Sequence, residues 1–198
     1  RDALALADRV AVLGQGRLRQ VGSPSALRHQ PDHLDVIGFF DDPPVNRLEG
    51  RLVMGEGTDP HFVVKTEGIS IRLPVAESSR LRPGPAILAV RPEAIRWVDL
   101  PAMDEATIDL ITGDEEMRLA VEDRGWGWIV TASRFNERFR LRAVRTDPPW
   151  SSRQERSRAE AKGTVAALGS GRWQVAWSCC QWFDPTTGRR LDRAITIE

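Results

Sequence analysis

Residues 6–24 read Leu-Ala-Asp-Arg-Val-Ala-Val-Leu-Gly-Gln-Gly-Arg-Leu-Arg-Gln-Val-Gly-Ser-Pro, and this stretch sets the organisation of the chain. An apolar run around Val12 is followed by Gly14-Gln15-Gly16, a turn that can supply positive φ, and by a second run that ends at Gly22. This pattern predicts a tight β-hairpin. Ser23 can cap a helix with its side-chain oxygen and Pro24 has a preset φ, so a short helix should follow at once.

A second organising stretch is Leu88-Ala89-Val90-Arg91-Pro92-Glu93. Together the two stretches resemble the C-terminal part of the nucleotide-binding subunit of ABC importers of the sugar, polyamine and glycerol-phosphate type. Further landmarks of the resemblance are Pro31, Val36-Ile37-Gly38-Phe39-Phe40, Pro43-Pro44-Val45-Asn46 and Leu81-Arg82-Pro83-Gly84. The resemblance extends over the first half of the chain and becomes weak beyond Trp97.

The resemblance implies an accessory part of a larger transport protein. Residues 1–40 would be the C-terminal remnant of an ABC nucleotide-binding domain, and residues 45–100 a transport-associated OB-like (TOBE-like) domain. The parent protein would bind ATP and magnesium and couple ATP hydrolysis to solute import. Its partners would be transmembrane permease subunits and a second copy of the ATPase subunit, at the cytoplasmic face of the inner membrane, where it would be peripheral.

The lysines show that this chain lacks the phosphate-binding loop of such a protein. A Walker A loop needs Gly-Lys-Ser/Thr so that the lysine reaches the β and γ phosphates. The lysines here are Lys65 and Lys162, and they follow Val64 and Ala161. We therefore predict no catalytic, cofactor-binding or metal-binding residue in the chain. The uncapped apolar run before Asp8 indicates a helix that has been cut, so the catalytic motifs are expected upstream.

Composition predicts an ordinary soluble globular protein. The chain has 198 residues, of which 41% are hydrophobic, enough for one large domain or two small ones. Basic and acidic residues balance at 28 each, so no overall field draws the chain to nucleic acid, and no nucleic-acid partner is expected. No apolar run approaches the roughly 18 residues that a membrane span needs.

Near residue 41 the spacing of the apolar residues changes from a helical to a β-strand period. Residues 23–40 predict two short helices divided by Pro31, the second capped by Asp32 and presenting an apolar face to the ATPase core. Asp41-Asp42-Pro43-Pro44 is stiff and marks a domain boundary. Strands are predicted at Leu48–Val53, Phe62–Lys65, Ile69–Leu73 and Ile87–Val90. The fold class is therefore mainly β, with small OB-like barrels after a short α/β remnant.

Residues 101–198 form a third segment, a second β region that matches the family poorly. Strands are predicted at Ala106–Ile111, Arg118–Val121 and Trp128–Thr131. Residues 138–145 alternate arginine with apolar residues, so a strand there should have one basic face and one core face. The stretch from Gly163 onward also predicts β structure.

Arg91 and Glu93 are the candidate functional residues, as a regulatory or subunit contact. The favoured alternative is a structural turn in which Pro92 fixes the bend and the two charged side chains are paired or solvated. Both interpretations stay open at the level of the sequence.

A different class of function is a stand-alone OB-type module that binds single-stranded nucleic acid or an oxyanion. Its support is a basic face at Arg138, Arg140, Arg142 and Arg145 with aromatic residues at Trp126, Trp128 and Phe135. Stacking aromatics beside basic side chains are how such barrels bind single strands. The zero net charge and the ATPase-like first 40 residues count against it, and a solvated strand face is favoured.

The cysteines and histidines predict neither a redox centre nor a metal site. Cys179 and Cys180 are adjacent and should be free thiols, one buried and one exposed. His29 and His33 have a metal-like spacing, but Pro31 breaks the helical face that they would share.

Overall fold

Strands dominate the computed structural model, which describes residues 7–40, 42–55, 58–66, 69–99, 107–112, 118–134, 139–146 and 171–192. The first elements, within residues 7–40, form the N-terminal unit: β1 (Val10–Gly14), β2 (Arg17–Gly22), α1 (Pro24–His29) and α2 (Leu34–Phe39). The strands that follow form the β core: β3 (Asn46–Gly55), β4 (Thr58–Val64), β5 (Ser70–Arg72), β6 (Gly84–Val90), β7 (Ile95–Asp99), β8 (Thr107–Thr112), β9 (Arg118–Asp123), β10 (Trp128–Arg134), β11 (Phe139–Arg145), β12 (Gly171–Ala176) and β13 (Cys180–Phe183). A short helix, α3 (Val75–Ser78), precedes β6, and 3-10 turns lie at Pro92–Ala94 and Trp177–Cys179. None of the helices in the described ranges is long and apolar enough to cross a membrane.

The predicted hairpin is confirmed. β1 and β2 pair antiparallel, with Leu13 opposite Leu18 and Gly14 opposite Arg17. The two turn residues between them are Gln15, with φ 53°, and Gly16, with φ 72°. Two consecutive positive φ angles are typical of the hairpin turn whose twist matches that of the flanking strands.

The two predicted helices are also present, but the cap of the second is His33 rather than Asp32. At α1 the Ser23 hydroxyl accepts a hydrogen bond from the Ala26 N–H at 3.2 Å, and Pro24 is the first helical residue, as predicted. At α2 the His33 ring accepts from the Asp35 N–H at 3.1 Å. Asp32 lies one residue too early because its carbonyl is bound by the Arg190 N–H at 3.0 Å.

Strands from residues 101–198 pair with strands from residues 45–100, although the sequence pattern divides the chain between these two ranges. The largest sheet that the structure describes has the antiparallel order β13-β6-β3-β4-β5, and smaller sheets have the orders β7-β12-β8 and β11-β10-β9. Trp182 of β13 lies opposite Leu88 of β6, and Trp173 of β12 lies opposite Trp97 of β7. The late strands thereby cover edges of β6 and β7 that would otherwise have unpaired backbone groups.

All three of these sheets of the β core contribute to one hydrophobic core. Its largest members share complete or near-complete burial: Trp173, Trp182, Phe62, Leu52, Ile71, Leu88, Ile95 and Ile108. Phe62 meets Trp182 edge to face, with 5.1 Å between ring centroids, a geometry that aromatic pairs prefer. The prediction of a mainly β, OB-like fold is confirmed.

Two finer predictions for residues 101–198 are confirmed where the structure describes them. In β11, Leu141 and Ala143 are buried whereas Arg140 is exposed, so the strand has a core face and a basic face. Cys180 is buried and Cys179 is exposed, and both are free thiols. Burial raises the pKa of the Cys180 thiol. Arg138, Phe135 and residues 147–170 lie outside the described residues.

Candidate functional site

The Arg91-Pro92-Glu93 triplet lies where the β core meets the N-terminal unit. It forms the start of the 3-10 turn between β6 and β7, with Pro92 buried and the Ala94 N–H donating to the Arg91 carbonyl at 3.0 Å. Glu93 accepts a hydrogen bond from the Arg28 guanidinium of α1 at 2.7 Å. The two side chains are 43% and 44% exposed, so their pairing contributes at most about 1 kcal/mol. The contact serves to align the two parts more than to hold them together.

Apolar packing is the stronger link between the N-terminal unit and the β core. Ile37 of α2 is 1% exposed and packs in a cluster on the outer face of the largest sheet. The other buried members of this cluster are Val45, Ile87, Ala89 and Phe183. The expectation that the apolar face of α2 packs on the ATPase core is therefore wrong for Ile37. The outer face of β6 and β13 is itself apolar, and α2 is the element that covers it.

A turn at residues 184–190, here called the C-terminal clamp, forms a third link. The Leu34 N–H donates to the Gly188 carbonyl at 2.8 Å, and the His33 Nε2–H donates to the Thr187 carbonyl at 3.0 Å. A Cβ at Gly188 would overlap the His33 ring, and φ there is 71°, so this close approach requires glycine. The clamp and the Asp35 N–H together fix the ring orientation of His33.

Asp184 organises the clamp. Its carboxylate accepts from the Thr187 N–H at 2.6 Å, the Thr187 hydroxyl at 2.9 Å and the Thr186 N–H at 2.9 Å. The backbone hydrogen bond from Thr187 is the largest cause of a lowered pKa at Asp184. The ionised carboxylate thus stabilises the turn that holds α2.

Asn46 joins the largest sheet to the edge of β11. This side chain is 4% exposed; its amide nitrogen donates to the Arg142 carbonyl at 2.8 Å and to the Val90 carbonyl at 3.2 Å. Its amide oxygen accepts from the Arg142 N–H at 2.7 Å. The side chain therefore satisfies backbone groups of an edge strand, which would be costly to leave buried and unpaired.

A cavity of about 530 Å³ lies next to this contact, between the start of β3 and β11. Its lining includes Arg47, Arg140, Arg142, Glu49 and Thr66, and it is here called the arginine cavity. Sequence reasoning singled out Arg140 and Arg142 but missed Arg47, because nothing in the local pattern places Arg47 beside a strand some 90 residues later.

Of the aromatic residues grouped with these arginines in the sequence, Trp126 and Trp128 lie at the opposite end of the β10–β11 pair, and Phe135 lies outside the described residues. Trp128 lies opposite Arg145, whereas Arg142 lies opposite Thr131 and Arg140 opposite Ser133. At roughly 3.3 Å per residue, Arg140 is about 16 Å along the strand from Arg145. The structure therefore places Trp128 away from the arginine cavity.

The hairpin of the N-terminal unit presents an apolar surface, here called the hairpin face. Its large members are Leu13, Leu18 and Val21, with exposed fractions of 70%, 60% and 42%. The opposite face is covered, because Val12 packs with Leu27 and Val36.

Comparison with known proteins identifies a class of homologues. No family model matches the chain. The sn-glycerol-3-phosphate import ATP-binding protein UgpC 1 of Rhizobium johnstonii is 35% identical over 112 residues, which are 56% of this chain and 29% of that protein. The xylose/arabinose import ATP-binding protein XacJ of Haloferax volcanii is 36% identical over 108 residues, 54% of this chain and 26% of that protein. The spermidine/putrescine import ATP-binding protein PotA of Pseudomonas fluorescens is 34% identical over 97 residues, which are 49% of this chain and 26% of that protein.

The homologues of this chain are ATP-binding subunits of ABC importers, over about half of its length, as the two organising stretches predicted. The chain spans less than a third of the length of these relatives, at 29% and 26% of the first two. Among solved structures, the cytoplasmic molybdate-binding protein ModG is similar with a TM-score of 0.43 at 14% identity, over 71% of this chain and 96% of that one. We base no inference on a similarity of that size.

Proposed function

We propose that this chain is the C-terminal accessory part of an ABC importer ATP-binding protein that energises solute uptake. In this proposal the N-terminal unit belongs to the ATPase domain, and the β core, which is TOBE-like, regulates or stabilises the ATPase dimer. The observation that carries the proposal is the hairpin face: a two-stranded hairpin is marginal alone, and an exposed apolar surface marks a contact with another part of a protein. The rest of the ATPase domain would cover Leu13, Leu18 and Val21.

The partners, cofactors and location follow from the same proposal. The complete protein would bind ATP and magnesium outside this chain, act with transmembrane permease subunits, and pair with a second copy of itself. It would lie at the cytoplasmic face of the inner membrane as a peripheral subunit. The solute is not assigned, because the relatives above import a sugar, a polyamine or glycerol phosphate by their names.

The links described above suggest how the β core would act on the ATPase. Ile37, the Arg28–Glu93 pair and the C-terminal clamp all connect α1 and α2 with the β core. A shift of the β core would therefore move the helices of the N-terminal unit. Couplings of this kind are typically about 1–3 kcal/mol, which changes an equilibrium several-fold.

The hairpin face provides a test that compares two proteins. In the isolated chain, Leu18→Gln should leave the melting temperature unchanged, because this side chain is 60% exposed. In the longer protein proposed to contain this chain, the same substitution should destabilise the ATPase domain by about 1–3 kcal/mol, because it would bury an amide without a partner. The matched control is Val75→Gln, which replaces a 65% exposed side chain at the start of α3, outside the N-terminal unit. An equal response of both variants in the longer protein would contradict the proposal.

Nucleotide binding tests the catalytic side of the proposal. The isolated chain should show no heat of binding when ATP and magnesium are titrated into it, because it has no lysine in a phosphate-binding loop. Micromolar binding would mean that this chain carries a nucleotide site of its own, and would overturn the assignment of catalysis to other residues.

A further inference from the structure

We propose that His33 is a pH switch that sets how firmly the β1–β2 hairpin is held against α2. Its ring lies between α2 and the C-terminal clamp, the side chain is 11% exposed, and the carboxylate beside it reaches the hairpin. The contacts that carry this proposal lie within the described part of the chain and do not depend on a role in transport.

The two hydrogen-bond partners of the ring define its neutral form. The Thr187 carbonyl can only accept, so Nε2, at 3.0 Å, carries a proton. The Asp35 backbone N–H can only donate, so Nδ1, at 3.1 Å, carries none. A second proton, which imidazole takes up between about pH 8 and pH 5, would turn Nδ1 from an acceptor into a donor. The contact with the Asp35 N–H, which caps α2, would then be lost.

A buried oxygen is in place to accept a hydrogen bond from the protonated Nδ1. Asp35 Oδ2 lies 3.4 Å from Nδ1. It is shielded from solvent and has no hydrogen-bond partner among the described residues. Protonated His33 would donate to this oxygen, and the opposite charges would strengthen the contact. The ring therefore has two arrangements that exchange one hydrogen bond for another, and pH can shift the population between them.

The same oxygen ties α2 to the hairpin. Arg19 of β2 approaches it with Nε at 3.0 Å, as an ion pair without a hydrogen bond. A Cβ at Gly14 of β1 would overlap both groups, so the pair lies directly on the end of β1. A protonated His33 competes with Arg19 for the carboxylate and offers the hydrogen bond that Arg19 does not form. Acidification should therefore weaken the hold of α2 on the hairpin, whereas the Nε2–H bond to the clamp persists in both forms.

Asp35 is the carboxylate that forms an ion pair with the ring within the described residues. The other charged or titratable groups of the segments around the ring are exposed or engaged with other partners: Arg17, Arg28, His29, Asp32, Asp184, Arg189, Arg190 and Asp192. The charge of a protonated His33 is therefore compensated by Asp35.

The test is hydrogen exchange of the full 198-residue chain, followed by NMR at about pH 7.5 and about pH 5 and corrected for the intrinsic pH dependence of exchange. Protection in β1 and β2 should fall at least about threefold on acidification, and the Asp35 amide should lose protection with it. The Leu34 amide, which donates to the Gly188 carbonyl, should keep its protection and is the internal reference for the clamp.

His33→Asn separates the proton from the cap. Asparagine is a good N-cap residue whose oxygen can accept from the Asp35 N–H, but it takes up no proton in this range. The variant should stay folded, and protection of the hairpin should no longer depend on pH. The matched control is His29→Gln, which removes an exposed histidine of α1 and should keep the full response.

A second measurement tests the competition between Arg19 and His33 for the carboxylate. NMR follows the ring signals of His33 through the titration. Arg19→Gln should raise the midpoint and Asp35→Asn should lower it, each by about half a pH unit or more. In a protein that already carries Asp35→Asn, Arg19→Gln should move the midpoint at most about half as far, because its effect acts through the carboxylate. The control Arg17→Gln, at an exposed position of β2, should leave the midpoint unchanged.

Four results would each overturn the proposal. They are hairpin protection that is the same at both pH values, a pH response that survives in His33→Asn, loss of the response in His29→Gln, and an Arg19→Gln shift that is as large with Asp35→Asn as without it.

Discussion

The β core and the N-terminal unit differ in what holds them together. Side chains from all three sheets of the β core enter one large cluster around Trp173 and Trp182. The N-terminal unit has a small cluster of its own built on Val12, Leu27 and Val36, against which Val10 and Phe40 pack. Other apolar side chains of the unit face the β core, as Ile37 does, or face solvent, as on the hairpin face. The β core is thus stabilised from within, whereas the N-terminal unit depends on the surfaces that it touches.

This difference fits a role as a connecting piece. A segment with little interior of its own opens at a lower free energy than a packed core and follows the element to which it is bound. The N-terminal unit has one apolar side on the β core, through Ile37, and another on the hairpin face. Substitutions in the two regions should therefore differ in how far their effects spread.

The largest effect is expected at Trp182. This side chain is completely buried, meets Phe62 edge to face and lies 6.0 Å from the Trp177 ring. Trp182→Ala should lower the free energy of unfolding by about 3–5 kcal/mol, since it removes a large side chain from the centre of the core. Chemical denaturation monitored by circular dichroism measures the loss. The control Trp126→Ala, at a 62% exposed position, should cost little; similar losses in both would mean that the core is not centred on β13.

A smaller and more local effect is expected at Ile37. Ile37→Ala should cost about 2–4 kcal/mol, because it leaves a cavity between α2 and the outer face of β6 and β13. Hydrogen exchange should then accelerate in β1, β2 and α1 while β3 and β6 keep their protection. A uniform acceleration over both regions would show that the N-terminal unit and the β core unfold as one body, which would remove the distinction drawn above.

The features that the sequence predicted well are local, and those that it missed depend on distant partners. The hairpin turn at Gln15-Gly16 and the cap at Ser23 are encoded within a few residues, as is the alternation along β11. The cap at His33 could not be predicted, because Arg190 engages Asp32 from far along the chain. The pairing of β12 with β7 and of β13 with β6 is equally long-range, as is the placement of Arg47 and Arg142 in the wall of one cavity.

The candidate site shows the same division. The residues of the triplet were predicted to form a turn or a contact, and Glu93 in fact pairs with Arg28 while Pro92 fixes the bend. Their regulatory role stays a prediction. The local sequence pattern could not identify Arg28 as the partner of Glu93, because an exposed glutamate can pair with any nearby arginine.

An effect of about 1 kcal/mol is expected at Asp184, comparable with the loss of a helix cap. The hydrogen bonds from Thr187 lower its pKa in the folded state below the unfolded value of about 3.9. The stabilisation is therefore complete above pH 4 and is lost as the pH falls through the lowered pKa of the folded state. The melting temperature of Asp184→Ala should lie below that of the unchanged protein at pH 7, and the difference should shrink as the pH is taken below 4. A difference that is independent of pH would mean that the charge does not contribute, and Asp184→Asn, which keeps an acceptor oxygen, separates the charge from the hydrogen bond.

The smallest effect is expected at the Arg28–Glu93 pair, and it is the one that bears on regulation. Both side chains are more than 40% exposed, at 44% and 43%, so a double-mutant cycle with Arg28→Gln and Glu93→Gln should give a coupling of at most about 1 kcal/mol that weakens with salt. In the longer protein proposed to contain this chain, a regulatory contact predicts altered effector control at an unchanged melting temperature. A purely structural turn predicts the reverse, a lowered melting temperature with control preserved. Since the coupling is too weak to hold the N-terminal unit in place, a change of control in Glu93→Gln would have to arise from the relative orientation of α1 and the β core, and Arg28→Gln should then reproduce it.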